Sequence, residues 1–318
     1  MNKSCLIGFL MCSAFSLVVQ AATDGAHITK TISQIERKKG IKRTIQYRPD
    51  GNDFVCVNGK NRYTRALYGG ITDFRIETSD RPVFAAYKPK DSKHICFRLQ
   101  CGNQSIALDS LKFCEARYRA GRRTYRLTDP LLGKGELNIS VLAFPDAEGG
   151  IWRFTMKDMP EGALLHCYIS EIRAKNLSRN GDMGADRADS FDAPQLPKEQ
   201  KHYKLSLDGT TAYIVVEDQE LRLPALVEGT SLYDKSEKWR SEIESSLQIS
   251  TPDPYFNPLG GALAAAADGI WDGKIWLHGA IGWRSQLNGW RAAYIGDFIG
   301  WHDRARTHFD SYAASQVT

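Results

Sequence analysis

The chain has 318 residues, 42% of them hydrophobic, and a formal net charge of +5. That length and composition support one or two folded domains with a real core. The basic residues are scattered and form no stripe, which excludes nucleic-acid binding as the reading.

Residues 1–21 read as a secretory signal. Lys3 is a short basic start, and Leu6 to Val19 is an apolar run too short to span a membrane. Val19-Gln20-Ala21 is a small-residue cleavage site, so the mature chain is expected to begin at Ala22. Leu10 and Met11 precede Cys12 where a lipoprotein would carry a small residue, so lipid anchoring is not expected. No later run is long and apolar enough to cross a membrane, and the expected location is periplasmic or extracellular. Residues 22–42 are polar and basic and read as a flexible leader.

A β-sandwich domain is predicted over 43–227. Thr44 to Tyr47 is a strand candidate, Arg48-Pro49-Asp50-Gly51 a turn, and Phe54 to Val57 the return strand, closed by the hairpin-turn pair Asn58-Gly59. Strand-like runs follow at Pro82–Tyr87, His94–Leu99, Ser105–Leu108, Phe113–Arg119 and Thr124–Leu127, then at Gly135–Phe144, Gly150–Met156 and Leu164–Ile172. They are short, rich in β-branched and aromatic residues, and separated by Gly, Pro, Asp and Asn, which argues a large antiparallel sandwich. Lys175 to Gln200 reads as a long surface loop. Tyr203–Leu207 and Ala212–Val216 around Asp208-Gly209 read as one more hairpin.

Five cysteines remain after the signal, Cys56, Cys96, Cys101, Cys114 and Cys167. Their place in or beside strands suits small buried hydrophobes. The alternative is one disulfide, Cys96 with Cys101 or Cys114. No C-x-x-C pair occurs, so no metal site is predicted.

After Pro224 the period changes. Leu232, Trp239, Ile243 and Leu247 mark one face of a helix over 231–249, capped by Thr230 or Ser231 and stopped by Pro252 and Pro254. This is the linker helix of a 228–250 segment. Residues 251–318 then read as helical: an alanine-rich helix from Leu259 to Ile270, and helical spacing over His278–Tyr294 and Phe298–Tyr312, with Trp301, Ala305, His308 and Tyr312 on one face. Five of the seven tryptophans lie between Trp271 and Trp301, which marks either a core seam or a binding wall.

This order, with the segment TPDPYFNPLGGALAAAADGIWDGKIWLHGAIGWRSQLNGWRAAYIGDFIGWHDRARTHF, resembles the six-hairpin glycosidases. In those proteins a β-supersandwich and a linker helix precede an (α/α)6 barrel. The stretches IQYRPDGNDFVCVNGKNRYTRALYGG and SDRPVFAAYKP are similar to a secreted Bacteroidota family with a domain of unknown function, of the DUF4450 kind. The resemblance implies a mainly β fold followed by the first helices of an incomplete (α/α)6 barrel. It also implies an N-terminal fragment of an exported glycoside hydrolase-like protein that breaks down polysaccharides by acid–base hydrolysis in its full-length form. A missing C-terminal barrel segment would be its partner, and the catalytic residues would lie there.

Glycoside hydrolysis wants two carboxyl groups. Asp268, Asp272, Asp297 and Asp303 are the helical candidates, and each suits a structural or substrate-contacting place better than a catalytic pair. Sugar rings stack on indole while polar side chains take the hydroxyls. The expected carbohydrate contacts are therefore Trp276, His278, Trp290, Arg291, Asp272 and Asp297, with packing of each tryptophan as the competing reading. Arg284 and Arg291 share a helix face and either pair with acids or bind substrate oxygens. Arg117, Arg119, Arg122, Arg123 and Arg126 alternate around Gly121 and read as a solvated hairpin rather than an anion site. No P-loop, dinucleotide fingerprint, nucleophile elbow or H-E-x-x-H occurs, and no cofactor is expected. The rival function is a non-catalytic carbohydrate-binding or structural sandwich; a third is a membrane-complex component without a sugar role.

Overall fold

The computed structural model describes residues 46–88, 92–171, 202–278 and 290–315. Among these, fifteen strands, numbered in chain order, form two antiparallel sheets. The larger runs in space through β1 (Arg48–Asp50), β2 (Asp53–Val57), β8 (Phe113–Arg119), β9 (Arg122–Thr128), β10 (Glu136–Ala143), β11 (Gly149–Lys157), β14 (Thr211–Glu217) and β15 (Glu220–Arg222). The smaller runs through β13 (His202–Ser206), β12 (Leu164–Glu171), β6 (Lys93–Cys101), β5 (Phe84–Tyr87), β4 (Arg75–Thr78) and β3 (Arg65–Tyr68), with β7 (Gln104–Ala107) beside β6.

Alternation builds the core. In β8, Cys114, Ala116 and Tyr118 point inward and Glu115, Arg117 and Arg119 outward. Between the sheets, Phe84 meets Phe97, Tyr125 and Trp152 edge-on, with centroids 5.6–5.7 Å apart. Each such buried ring contributes about 1.5–3 kcal/mol relative to exposure. The same alternation corrects the reading of the arginine run. Tyr125 and Leu127 must face the core, and Arg123, an even number of residues away, goes in with them at 0% exposure. It is not solvated. Its Nη2 donates to the Ser79 carbonyl at 2.8 Å and to the Tyr47 hydroxyl at 3.1 Å, and lies 4.0 Å from the Asp80 carboxylate.

Two expected hairpins are crossings between the sheets instead. After β2 the chain leaves for the smaller sheet at Asn58-Gly59, because Asn58 is tied to Cys114 by a backbone N–H donated to its carbonyl (2.8 Å) and by Oδ1 accepting its amide (2.9 Å). Gly59 passes so close to the clasp that a Cβ there would lie 2.5 Å from Asp80 Oδ2. Likewise β13 pairs with β12 and β14 with β11, so Asp208-Gly209 joins two sheets. Leu207 is buried in the core at this crossing, its amide donating to the Ala163 carbonyl at 2.9 Å. The first hairpin is present but shifted, with β1 at the predicted turn and the reversal at Gly51-Asn52. Thr44 and Ile45, the leader, the signal and the loop over 175–200 lie outside the described residues.

Four α-helices follow among the described residues. α1 (Leu226–Ser245) begins five residues before the predicted start at 231, directly after Pro224-Ala225. Thr230 lies inside it, its hydroxyl donating to the Leu226 carbonyl at 2.8 Å. Ile243 is buried as expected, but the rest of the buried face is Tyr233, Ser236 and Arg240 rather than Leu232 and Trp239, since the helix lies on a mixed sheet surface against β10, β11 and β14. Tyr233 packs on Leu142, Ile151, Tyr213 and Val215, with its hydroxyl 2.6 Å from Ser140 Oγ. α2 (Leu259–Asp268), α3 (Trp290–Phe298) and α4 (His302–Ala314) complete the described part. An (α/α)6 barrel is not among these elements. No described helix is long and apolar enough to cross a membrane.

All five cysteines between Cys56 and Cys167 are free. Burial pushes the thiols of Cys96 and Cys114 up to about 12 and that of Cys167 higher still. A 22–318 chain purified without reductant should therefore titrate five thiols in denaturant. Cys56, Cys114 and Cys167 should resist an aromatic disulfide reagent while the chain is folded. A denatured count of three would restore the disulfide reading.

Candidate functional site

The helical part is built around one tryptophan. Beyond α2 the chain turns at Asp272-Gly273, where Asp272 Oδ1 accepts the amides of Lys274 (2.9 Å) and Ile275 (2.7 Å). The turn closes an antiparallel bridge between Trp271 and Trp276. It sends Trp276 inward, where its ring is 0% exposed and Nε1 donates to the Ala267 carbonyl at 2.9 Å. Ala292 and Ala293 of α3 and Ala305 of α4 surround it. Gly296 lies directly under the indole, where any Cβ would fall on the ring.

His308 of α4 completes the knot. Its Nδ1 accepts the Trp276 amide at 3.0 Å. An amide only donates, so the ring proton sits on Nε2, an atom with no partner among the described residues. Burial pushes the pKa of His308 down, against a smaller upward pull from Asp272, and keeps the ring neutral. On the other side Arg304 donates from Nη1 to Asp268 Oδ1 at 2.7 Å. Its guanidinium carbon lies 4.6 Å from the Trp301 ring centroid and 5.6 Å from that of Trp271. Asp268 is buried, and desolvation raises its pKa although Arg304 pulls the other way.

Of the six expected sugar contacts, the five whose side chains are described divide between inside and outside. Trp276 is inside, while Asp272, His278, Arg291 and Asp297 are exposed. Asp272 is occupied by its turn, and Asp297 accepts from His302 Nδ1 at 2.7 Å. Trp290 opens α3, and its side chain, like Arg284 and Trp283, lies outside the described residues. Asp303 pairs with Arg306 at 3.5 Å. Each carboxylate named as a candidate thus has a local partner. Asp268, the most perturbed of them, borders a cavity of about 50 Å³ shared with Tyr68, Tyr118, Trp239 and Arg240. Ligand sites run to about 300–1,000 Å³, so this cavity takes no sugar ring.

Larger openings lie elsewhere. One, of about 450 Å³, is polar and lined by Asn52, Arg119, Ser241, Glu244, Ser250 and Asn257. The other, of about 360 Å³, lies on the outward face of the larger sheet and is lined by Arg117, Arg122, Arg126 and Arg153 with Glu115 and Thr124. Sequence reading missed the second because its parts come from four strands. The signal available was the arginine run itself, whose outward members do converge. Among the described residues no group of three or more His, Cys, Asp and Glu is placed to hold a metal ion.

Residues 89–217, from just before β6 to the end of β14, match the family model described as a domain of unknown function, DUF4450. No curated protein matches the chain. The matched span contains strands of both sheets and all four outward arginines of the sheet-face opening.

Trp276→Ala should lower stability by about 3–5 kcal/mol, read as a fall in the denaturation midpoint. Loss of glycan binding at unchanged stability would mark the indole as a contact instead. Asp268 gives a pH signature. Its folded carboxyl keeps a proton to higher pH than the unfolded one, near 3.8, so the native chain binds more protons above that value. This group's contribution to stability therefore falls as pH rises from 3.8 through the raised value. The midpoint difference between Asp268→Asn and the parent should shift in the variant's favour across that window, as followed by urea denaturation.

Proposed function

We propose that the chain is the sandwich and first helical layer of an exported glycan-processing protein of the glycosidase-like type, and that it carries no hydrolytic centre of its own. The observation behind this reading is the outer side of α3 and α4. Phe298 is 84% exposed, Ile295 45% and Phe309 40%. The inner side of the same hairpin packs on Trp276, so the helix pair is apolar on two sides. Such a helix is normally packed on two sides, as each hairpin of a helical barrel is by its neighbours. The order of sandwich, long helix, proline-rich bridge and helical hairpins supports the same reading, by analogy of architecture.

The tied carboxylates supply the second half. Acid–base hydrolysis needs two carboxyls facing one substrate, and Asp268, Asp272, Asp297 and Asp303 are each held by a local partner. They favour a binding or scaffolding share of the work for this chain, and a stand-alone carbohydrate-binding sandwich is the second reading.

The 22–318 chain should release no reducing ends from a panel of plant and host polysaccharides. It should enhance the fluorescence of an apolar dye, and Phe298→Glu should remove much of that signal without unfolding the sandwich. Sustained turnover by this chain alone would overturn the proposal.

A further inference from the structure

Two rows of outward side chains cross β8 to β11 in register. Arg153 opposes Ser140, Ser140 opposes Thr124, and Thr124 opposes Arg117. Beside them run Thr155, Asn138, Arg126 and Glu115. With strands about 4.8 Å apart, each row spans about 14 Å. The rows floor the groove of about 360 Å³, and α1 stands along it through Tyr233 at Ser140 and through Glu237, which accepts from Arg122 at 2.8 Å.

The arginines differ in what they have left to give. Arg117 is bound by Glu115 (2.8 Å), Asp50 (2.8 Å) and Asp53 (3.4 Å). Arg126 is shared by Glu115 and Glu136, at 3.3 and 3.5 Å. Arg153 has no acid. Its guanidinium carbon sits 3.9 Å from the Tyr233 ring centroid, and its N–H groups meet no protein acceptor among the described residues. A guanidinium carries five donors in a planar fork. Stacking fixes the plane and leaves the edge open, the arrangement that receives a carboxylate or sulfate two bonds at a time. The hydroxyls of Thr124 and Thr155 are likewise without protein partners in the described part. Half-burial weakens solvent screening of a charge placed there.

We propose that this groove binds an anionic oligosaccharide, with the ligand's acidic group on Arg153 and its hydroxyls along Thr124 and Thr155. One open arginine among hydroxyls suits a hydroxyl-rich chain with spaced acids. A nucleic acid would ask for a run of unmatched cations. The inference rests on the glycan reading for the ligand's class and goes beyond it in naming the charge, the face and the residue.

The test is calorimetric titration of the 22–318 chain with oligogalacturonate, with sulfated chondroitin oligomers and with neutral xylo-oligosaccharides at two ionic strengths. At least one acidic oligomer should bind, more weakly at higher salt, and the better of the two identifies carboxylate or sulfate as the group recognised. Arg153→Gln should weaken that binding about tenfold or more. Arg153→Lys keeps the charge without the fork, so it should recover only part of the affinity. Circular dichroism should match the parent for both variants, and the lysine variant carries the test if the glutamine variant unfolds. Acidic binding that survives both substitutions would overturn the proposal. So would equal binding of neutral and acidic oligomers, which leaves the glycan reading standing. Binding of no glycan at all would remove both.

Discussion

The sandwich depends on a cation placed where no water reaches it. Arg123 enters from β9, in the larger sheet, and its partners Ser79 and Asp80 follow β4, in the smaller one. A guanidinium left alone in such a place costs several kcal/mol, and removing one member of a buried pair typically costs about 3–5 kcal/mol. The chain is therefore obliged to bring residues 79–81 under β9. Asp80 in turn accepts from Tyr47, from Thr64 and from the Asn61 amide. Arg81 donates to the carbonyls of Gly59, Asp109 and Leu111. One buried charge thus fixes how the chain passes from the first sheet to the second.

The aromatic core and the helical knot follow different logic. Phe84, Phe97, Trp152 and Phe154 need only volume and alternation, and many apolar residues would serve there. Around Trp276 the fit is specific, because its indole and amide both donate and Gly296 leaves the ring its space. Between these parts α1 lies on the sheet through a small apolar patch and then through ions. Near its C-terminal end Arg240 pairs with Glu237 and Glu244 and reaches the Ala120 carbonyl, and Glu244 also accepts from Arg119. A helix tied down at both ends makes a firm wall for the sheet-face groove.

Strands with one wet face were legible in the sequence. β8 carries the predicted bounds, and β6, β9, β10, β11 and β12 lie within two residues of theirs. β3 and β4 were not visible. β4 is buried on both faces, and its Arg75 and Glu77 look like surface residues until they are seen to satisfy each other at 2.5 Å. The two crossings misread as hairpins show the same limit, since Asn-Gly and Asp-Gly favour a reversal but do not say which sheet the next strand joins. For α1 the period was right and Ile243 is inward as expected, but a tyrosine, a serine and an arginine take the other inward places on a partly polar surface. In the tryptophan-rich stretch composition alone did not separate a wall from a seam; of its described members Trp276 lies in a seam, with Trp271 and Trp301 packed against it. The groove escaped because registry across four strands is not a property of any one segment.

The five unpaired thiols have a consequence for how the molecule must be made. They sit on β2, β6, β8 and β12, strands far apart in the chain that come together only when both sheets close. Until then every thiol is accessible to exchange, and an oxidising medium favours disulfides at equilibrium. Assembly in such a medium is a race between sheet closure and wrong pairing. Once closed, the fold withdraws Cys56, Cys114 and Cys167 from solvent and so from exchange partners.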